Sequence, residues 1–544
     1  MTIARSPGAD IDERGHTVKG QSPPVDFVWV DVACIDQRFN QESYLEIGRQ
    51  ADIFRGASLV YIWLTGTSSD DLDEAAFEIR DFANEARRNM PFQYEHSTIH
   101  PSEREADFEP DWLSNGSKSL QAFYKDPWFS SLWTLQEAFL RKDGRFLSRD
   151  GSFAWHMDSL DEITFWDSRD GPVPIEDLRT FCLAELTYVC QHLRPSVEAN
   201  LAARGVEGDV DDSMALDAAD ILDFLDVSGL TALSRDNPMA LYSAAVNRKP
   251  SNTLDCVYGI MQVFNFRLGQ SKPSVRADVE FTLPDLEDEL GIALMNLSPV
   301  WSQSFRHVDW PRKRGKDWRV TRKATFPEPA YSTHMPWAPA KYVSTCKLDS
   351  EMLDDTTWGC FQGLMCPFPA IRAAWSYIND SDTYRQAYWL EGDSDMALVL
   401  DVNPELFPEG REVGEHNIRR GPMQYMVAGN LANRFGEDLQ VLHLGYHKPS
   451  LDKCHHFGLI LLREGADSEC VWRRLGVCTW DIYPQKPDPV RSTESRPQKD
   501  GWVPFYLKSC PVIYCDEDID EMQLHWATLS MESEMWQKTT GIFG

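Results

Sequence analysis

A tryptophan and a carboxylate that could form a site lie four residues apart in "SSLWTLQEAFLRKDGRFL", residues 130–147. Apolar residues recur at offsets of three and seven from Leu132, which predicts a helix. Trp133 and Glu137 then share a second face of that helix, where their side chains are neighbours. The same Glu137 can equally be an ordinary charge on an exposed helical surface, because glutamate is rarely buried. These residues alone leave both interpretations open.

Three other segments carry residues with potential chemistry. The basic segment "PRKRGKDWRVTRK" (311–323) could bind RNA or another anionic partner. Since the rest of the chain is acidic, we expect instead a solvated loop whose cations pair with nearby carboxylates. The sequence "CHH" (454–456) lacks a second half at zinc-ligand spacing, so no metal site is predicted. No histidine in the N-terminal half stands out as an activator of Cys34, which favours a buried structural thiol.

Composition and charge exclude several classes of protein. The 544 residues carry 85 acidic against 53 basic side chains, a formal charge of −32, so the chain repels phosphate backbones and anionic lipid. No window has the roughly eighteen uninterrupted apolar residues of a membrane span. The absence of P-loop, GxSxG, HExxH and GxGxxG motifs excludes the common NTPase, hydrolase, zincin and Rossmann interpretations. Twelve dispersed cysteines without a CxxC pair predict a reduced, cytoplasmic protein.

The elements that would position the site begin with a strand, a helix and a strand. The run "DFVWVDVACIDQ" (26–37) is apolar and rich in β-branched and aromatic residues, which is typical of a buried strand. Asn40 is the predicted N-cap of a helix whose apolar residues recur as far as Phe54. The run "ASLVYIWLTG" (57–66) predicts a second short strand. This order predicts a βαβ unit with parallel strands.

The pattern changes along the chain and predicts four regions. A polar helix is expected over 70–89 and a strand over 144–148, after the helix that carries Trp133. Segments between 160 and 265, including "LDEITFW", have helical periodicity, whereas short apolar runs after about residue 300 predict strands. The predicted organisation is a disordered leader at 1–24, an α/β domain at 25–155, a helical region at 156–295 and a β-rich region at 296–544.

Five blocks of the chain, in order, resemble the fungal heterokaryon incompatibility (HET) domain. "FVWVDVACIDQRFNQESYLEIGRQADIFRGASLVYIWLTG" (27–66) resembles the family's Trp-Ile-Asp strand, Cys-Ile-Asn-Gln segment and strand ending in Trp-Leu-Gly. "DPWFSSLWTLQE" (126–137) resembles its Pro-Trp-Phe lead into Arg-x-Trp-Thr-x-Gln-Glu. The likeness is looser in "NRKPSNTLDCVYGIMQVF" (247–264), "HMPWAPA" (334–340) and "CVWRRLGVCTW" (470–480). The chain is thus identified as a HET-domain protein.

The resemblance implies a function and a fold. HET domains act in heterokaryon incompatibility, in which unlike partners meet and regulated cell death follows, through protein partners and self-association. Their fold is thought to be similar to the TIR domain, a flavodoxin-like α/β module with a parallel sheet. The family's first strand has no counterpart before Asp26, so we expect an N-terminally incomplete module that lacks this strand.

The same resemblance implies a site that cleaves NAD. TIR domains with this activity carry a catalytic glutamate in a Ser-x-Trp-Cys-x-x-Glu helix, and Ser131 to Glu137 fall in the same order. Glu137 would be the catalytic carboxylate, and Trp133, Asp31 and Gln37 would bind the substrate. NAD would be consumed as a substrate, with no separate cofactor or metal. Ser131 stands where the family usually has arginine. A non-catalytic recognition or assembly module therefore stays open as the alternative.

Overall fold

The computed structural model divides the chain into two compact units. The first comprises Met1–Leu286 and Pro336–Pro339, and the second comprises Glu287–Met335 and Ala340–Gly544. The structure describes residues 10–11, 17–18, 29–36, 38, 40–89, 111–154, 166–167, 171–172, 181–207, 212–233, 238–326, 342–380, 397–406, 422–450, 453–465, 470–482, 524–525 and 527–544.

The first unit is mainly helical. Its described α-helices are α1 (Asp31–Cys34), α2 (Gln41–Ile47), α3 (Gln50–Gly56), α4 (Ser69–Asn89), α5 (Trp112–Tyr124), α6 (Leu132–Leu140), α7 (Leu183–Glu207), α8 (Asp212–Ser228), α9 (Leu230–Leu233), α10 (Pro238–Ala244) and α11 (Asp255–Met261). Its strands are β1 (Asp10–Ile11), β2 (Thr17–Val18), β3 (Tyr61–Trp63), β4 (Arg145–Leu147), β5 (Trp166–Asp167) and β6 (Gly171–Pro172). The predicted helices over 70–89 and around Trp133 are confirmed as α4 and α6. At Trp166, where "LDEITFW" predicted helix, the chain instead pairs with Pro172 as a two-residue strand.

Strands β3 and β4 form a parallel pair in the first unit. Tyr61 aligns with Arg145 and Trp63 with Leu147. Helices α4, α5 and α6 lie in the connection between the two strands, as parallel pairing requires a long crossover. Phe146 in β4 is fully buried and its ring stacks against that of Phe129, just before α6. The mixed α/β character predicted for this part of the chain is therefore confirmed.

The strand predicted from Asp26 is wrong over the residues described. The carbonyl of Val30 accepts the backbone N–H of Ala33 at 2.9 Å and of Cys34 at 2.7 Å, which closes the helical turn α1. The described partner of β3 is β4, and an apolar segment without a neighbouring strand must satisfy its backbone groups locally. The expected βαβ unit from 26 to 66 therefore has no first strand in the described part. Cys34 is exposed, so its predicted burial is wrong as well.

The predicted cap at Asn40 is confirmed, but the helix that follows is interrupted. The Asn40 side chain accepts from the backbone N–H of Ser43 at 3.0 Å, and the Ser43 hydroxyl accepts from the Asn40 N–H at 3.1 Å. This reciprocal capping box starts α2. The helix then breaks at Gly48 and Arg49, before α3. A Cβ on Gly48 would lie 3.0 Å from the carbonyl oxygen of Ser271, so the chain passes close to another segment there.

The second unit is β-rich, as predicted for the C-terminal region. Its helices are α12 (Leu283–Leu297, which spans the division), α13 (Pro299–Gln303), α14 (Phe368–Asp380) and α15 (Pro422–Phe435). Its strands are β7 (Tyr342–Ser344), β8 (Lys347–Leu353), β9 (Thr356–Pro367), β10 (Ala397–Leu400), β11 (Leu439–Ser450), β12 (Lys453–Glu464), β13 (Val471–Ile482) and β14 (Gln537–Phe543). Among the helices of the described ranges, none has the length and apolarity needed to cross a bilayer. The predicted strand at 502–507 lies outside the described residues.

Five strands of the second unit close into a ring. The pairing runs β11, β12, β13, β14 and β9, and β9 pairs again with β11. Alternate residues along these strands enter two different apolar clusters, as the two-residue period of a strand requires. Val441 and Ile460 pack with helices α14 and α15 in one cluster, whereas Leu442 and Leu459 pack with Trp318 in the other.

Candidate functional site

The start of α6 is bound to the loop that follows β3. One carboxylate oxygen of Asp126 accepts the backbone N–H of Gly66 at 2.7 Å, and the other accepts that of Trp128 at 2.9 Å. Asp126 is buried, and Gly66 stands three residues after the end of β3. The first turn of α6 therefore lies beyond the carboxyl end of a parallel strand. This is the edge at which open α/β sheets bind ligands.

Arg248 fixes the first turn of α6 from a second direction. Its guanidinium donates to the carbonyl oxygens of Trp128 at 2.8 Å and Ser131 at 2.9 Å, and to the Thr134 hydroxyl at 3.0 Å. It also donates to the carbonyl oxygen of Ser228, the last residue of α8, at 3.0 Å. Burial lowers the pKa of Arg248 to about 9. These partners are neutral oxygens in two separate stretches of the chain, 128–134 and the end of α8, so the arginine holds those two stretches together.

Glu137 lies on α6 and is buried, with 8% of its surface exposed. The expectation of an exposed helical charge is therefore wrong. The burial has a local cause, because α6 is covered along much of its length. Leu140, one turn later, packs with Phe54 of α3, and the Arg141 guanidinium donates to the Phe54 carbonyl oxygen at 2.9 Å. A carboxylate in such a place requires compensation of its charge, which a surface glutamate does not.

Trp133 is half-buried in the first turn of α6, one turn before Glu137. Its indole N–H donates to the carboxylate of Asp255, the first residue of α11. Asp255 is buried and also accepts the backbone N–H of Asn252 at 2.8 Å. Burial raises the pKa of Asp255, and these hydrogen bonds oppose the rise. The site therefore contains a second buried carboxylate, that of Asp255, which accepts the hydrogen bond of the Trp133 indole.

Helix α11 packs closely against α6. A Cβ on Gly259 would lie 3.1 Å from Cγ of Leu132 and 3.8 Å from Cδ2 of Trp133. The side-chain oxygen of Gln136, which is fully buried, accepts the backbone N–H of Gln262 at 3.0 Å. The segment 248–262 thus forms the support of the helix that carries Trp133 and Glu137. Arg248, Asp255 and Asp126 are not among the predicted site residues, although they lie within two of the five blocks that resemble the HET family.

The two other predicted substrate-binding residues are placed differently. Asp31 is the first residue of α1 and not part of the strand predicted over 26–37. Gln37 lies outside the described residues.

Asp36 is held by its neighbours in the chain. Arg38 binds both carboxylate oxygens of Asp36, and the Asn40 side chain donates to one of them at 2.8 Å. Hydrogen bonds from Arg38 hold the pKa of Asp36 well below its usual range. Asp36 is thus engaged in fixing the start of α2.

The basic segment of the second unit is engaged in ion pairs. Arg312 pairs with Asp401 at 2.9 Å and Arg319 with Glu287 at 3.1 Å, and all four side chains are largely buried. Lys316 pairs with Asp288 at 2.5 Å. The expected pairing with neighbouring carboxylates is confirmed, but the expected solvated loop is wrong at Arg312 and Arg319, whose side chains are largely buried. Buried and paired arginines are unavailable to a phosphate backbone.

The fold and site define an α/β module in which α6 carries a buried glutamate and begins beyond the carboxyl end of β3. Residues 17–137, a range that ends at Glu137, match the family model described as heterokaryon incompatibility protein (HET). The vegetative incompatibility protein HET-E-1 of Podospora anserina is 26% identical over 161 residues, which cover 30% of this chain and 9% of that relative. The chain therefore spans under a tenth of the relative's length. No solved structure matches. The similarity to the HET domain therefore lies in residues 17–137 of the chain.

Proposed function

We propose that this protein acts in heterokaryon incompatibility and promotes regulated cell death by cleaving NAD, with Glu137 as the catalytic carboxylate. The HET family match and the likeness to a protein named for vegetative incompatibility support the biological role. One observation carries the chemistry: Glu137 is buried one helical turn from Trp133, on a helix whose start is bound beyond the carboxyl end of β3. An exposed charge would support no such role.

A TIR-like, flavodoxin-like arrangement is part of this proposal. Two features favour it, namely the parallel pairing of β3 with β4 and the helical crossover between them. The crossover carries α6, so the element with the glutamate comes between consecutive strands of the sheet. In such sheets the loops and helix starts beyond the carboxyl ends of the strands surround the ligand.

The proposed reaction is hydrolysis of the bond between ribose C1′ and the nicotinamide nitrogen. The C–N bond breaks and its electron pair leaves with the ring, which becomes neutral nicotinamide. Positive charge develops at C1′, and the carboxylate of Glu137 stabilises this oxocarbenium-like centre. Water adds at C1′ and releases one proton, which gives ADP-ribose. Asp31 and Gln37 stay predicted substrate contacts, and Trp133 would form a wall of the pocket.

The first test is NAD consumption by the purified full-length chain, with nicotinamide release as the readout. Glu137→Gln keeps the size of the side chain and removes its charge, and we expect a loss of about 100-fold or more in turnover, as for removal of a preorganised electrostatic group. The matched control is Glu74→Gln, the same substitution at an exposed position of α4. Equal turnover in Glu137→Gln and Glu74→Gln would refute the catalytic role.

The absence, over the described residues 29–36, of the strand predicted from Asp26 favours a second candidate, a non-catalytic recognition or assembly module. The segment predicted to form that strand is helical at Asp31–Cys34. Such a module would act through protein partners, including copies of itself, in the cytoplasm. Expression in a fungal cell separates the candidates, because Glu137→Gln abolishes killing by an enzyme and leaves killing by a recognition module unchanged.

A further inference from the structure

We propose that Gln262 and Gln41 are positioning residues for substrate binding, because they hold α2, and with it the predicted substrate contact Gln37, on the segment 255–275, which packs against α6. The inference rests on the proposed function, in which Gln37 contacts NAD and Glu137 acts on it. Neither of the two positioning glutamines needs to touch NAD. Their role is to fix where one predicted contact stands relative to the helix that carries the other.

Gln262 binds both α2 and α6. It directly follows α11 and is 2% exposed. Its backbone N–H donates to the side-chain oxygen of Gln136, on α6, at 3.0 Å. Its side-chain amide donates to the carbonyl oxygen of Gly48, just after α2, at 3.3 Å, and to that of Phe266 at 2.9 Å. One buried residue thus joins the end of α2 to the helix that carries the glutamate.

The carbonyl oxygen of Gly48 lies where the helical chain is interrupted. Helix α2 ends at Ile47 and α3 begins at Gln50. The last carbonyl groups of a helix lack partners within it, and a buried carbonyl left unsatisfied is costly. The close approach of Gly48 to Ser271, whose carbonyl oxygen would lie 3.0 Å from an added Cβ, leaves α2 little room to shift.

The rest of α2 is bound to the same segment 255–275. The side chain of Gln41, the first residue of α2, donates to the carbonyl oxygen of Val275 at 2.8 Å. The ring of Tyr44, three residues later, lies 5.1 Å from the ring of Tyr258 on α11. Together with the bond at the end of α2, these contacts hold the helix from its first residue onward.

The start of α2 is in turn bound to the residue that precedes the predicted contact. The Ser43 hydroxyl donates to the backbone carbonyl oxygen of Asp36, and the Asn40 side chain donates to its carboxylate at 2.8 Å. Gln37 is the next residue in the chain. A shift of α2 against α6 would therefore displace Gln37 relative to Glu137, and a displacement of about 1 Å can cost about 100-fold in rate.

The kinetics of NAD cleavage distinguish positioning from a general loss of stability. A displaced substrate contact weakens binding and raises KM. A smaller folded fraction lowers the maximal rate and leaves the KM of the remaining folded molecules unchanged. The value of KM therefore reports a role that a merely structural residue would not have.

Gln262→Met in the full-length protein is the first test. The substitution keeps the length of the side chain and the backbone N–H but removes both amide donors. We expect a KM for NAD raised about tenfold, as for the loss of a hydrogen bond to a buried group, under conditions in which circular dichroism shows a folded protein. Gln121→Met is the matched control, because the Gln121 amide contacts Asp220 at an exposed position of α5. It should keep the wild-type KM.

A wild-type KM in folded Gln262→Met would overturn the inference. If Gln262→Met does not fold, Gln41→Met, which removes the half-buried bond to Val275, decides instead. A raised KM in Gln41→Met supports the inference, and an unchanged KM overturns it. Failure of the proposed function has a different signature, because the wild-type chain itself then releases no nicotinamide from NAD, and the inference falls with it.

Discussion

At the scale of the residue, buried polar side chains decide where the candidate site lies. Asp126 joins the loop after β3 to the start of α6, Asp255 holds the ring of Trp133, and Arg248 holds the first turn. Each of these three side chains is a buried charged group whose hydrogen bonds go to neutral groups. Such groups cost more when they are left unsatisfied than they contribute when paired. The positions of Trp133 and Glu137 therefore depend on residues that do not themselves need to touch a substrate.

Replacement of Arg248 should destabilise the first unit strongly. Arg248→Met keeps much of the side chain's length but leaves the carbonyl oxygens of Trp128, Ser131 and Ser228 without this donor. We expect a loss of about 3 kcal/mol in the free energy of unfolding, measured by urea denaturation. The control is Arg267→Met, at an arginine whose side chain is 38% exposed. Equal stability of the two variants would contradict the role given to Arg248.

At the scale of the element, the packing of α6 against α11 sets the geometry of the site. The two helices come from segments more than 100 residues apart and approach closely at Gly259, where a Cβ would press on Leu132. Helical glycine is unfavourable by about 1 kcal/mol relative to alanine, so its presence there reflects the need for space. The backbone N–H of Gln262 bound to Gln136 then fixes the register of the pair.

A larger side chain at Gly259 should separate these helices. Gly259→Val adds atoms where Leu132 and Trp133 already lie within 4 Å, and overpacking of this kind costs about 2 kcal/mol. Gly56→Val is the control, because a Cβ on Gly56 meets no other atom within 4 Å. Thermal denaturation of both variants measures the difference, and a melting temperature equally lowered in both would show that space at Gly259 is not the cause.

At the scale of the whole molecule, the HET match lies within the first unit, whereas the ring of strands lies in the second.

The second unit contains a buried histidine pair. Nε2 of His443 lies 3.0 Å from Nδ1 of His456, and the His456 ring stacks on that of Trp480. Burial lowers the pKa of His443 well below 6.5, and His456 lowers it further. The stability of the second unit should therefore depend on pH through a buried histidine as well as through exposed acidic side chains.

Acidification from pH 8 to pH 6 should destabilise the second unit through His443. Below pH 6.5 the unfolded chain binds a proton that folded His443 excludes, so stability is full above that pH and falls as the pH drops. The loss is about 0.8 kcal/mol for each such histidine at pH 6. His307, whose pKa burial lowers to about 4, acts in the same direction. Asp317, whose pKa burial raises to about 6, partly offsets the loss.

Chemical denaturation of the second unit at pH 8 and pH 6 measures this dependence. His443→Gln should reduce the difference between the two pH values by the share of one histidine. His455→Gln, one residue from His456 on β12 and half-buried, is the control and should keep the wild-type difference. An unchanged difference in His443→Gln would show that His443 binds its proton equally in both states.

The sequence by itself determined the elements whose information is local. Periodicity predicted α4 and α6, the short apolar runs predicted β3, β4, β10, β11 and β12, and the cap at Asn40 followed from the residue type. These features depend on neighbours within one or two turns. Only the tertiary structure decided that Glu137 is buried, that Trp133 binds Asp255 and that the segment at Asp31 is helical. Burial and hydrogen-bond partners come from segments far away in the chain, and no local pattern encodes which segment will pack there.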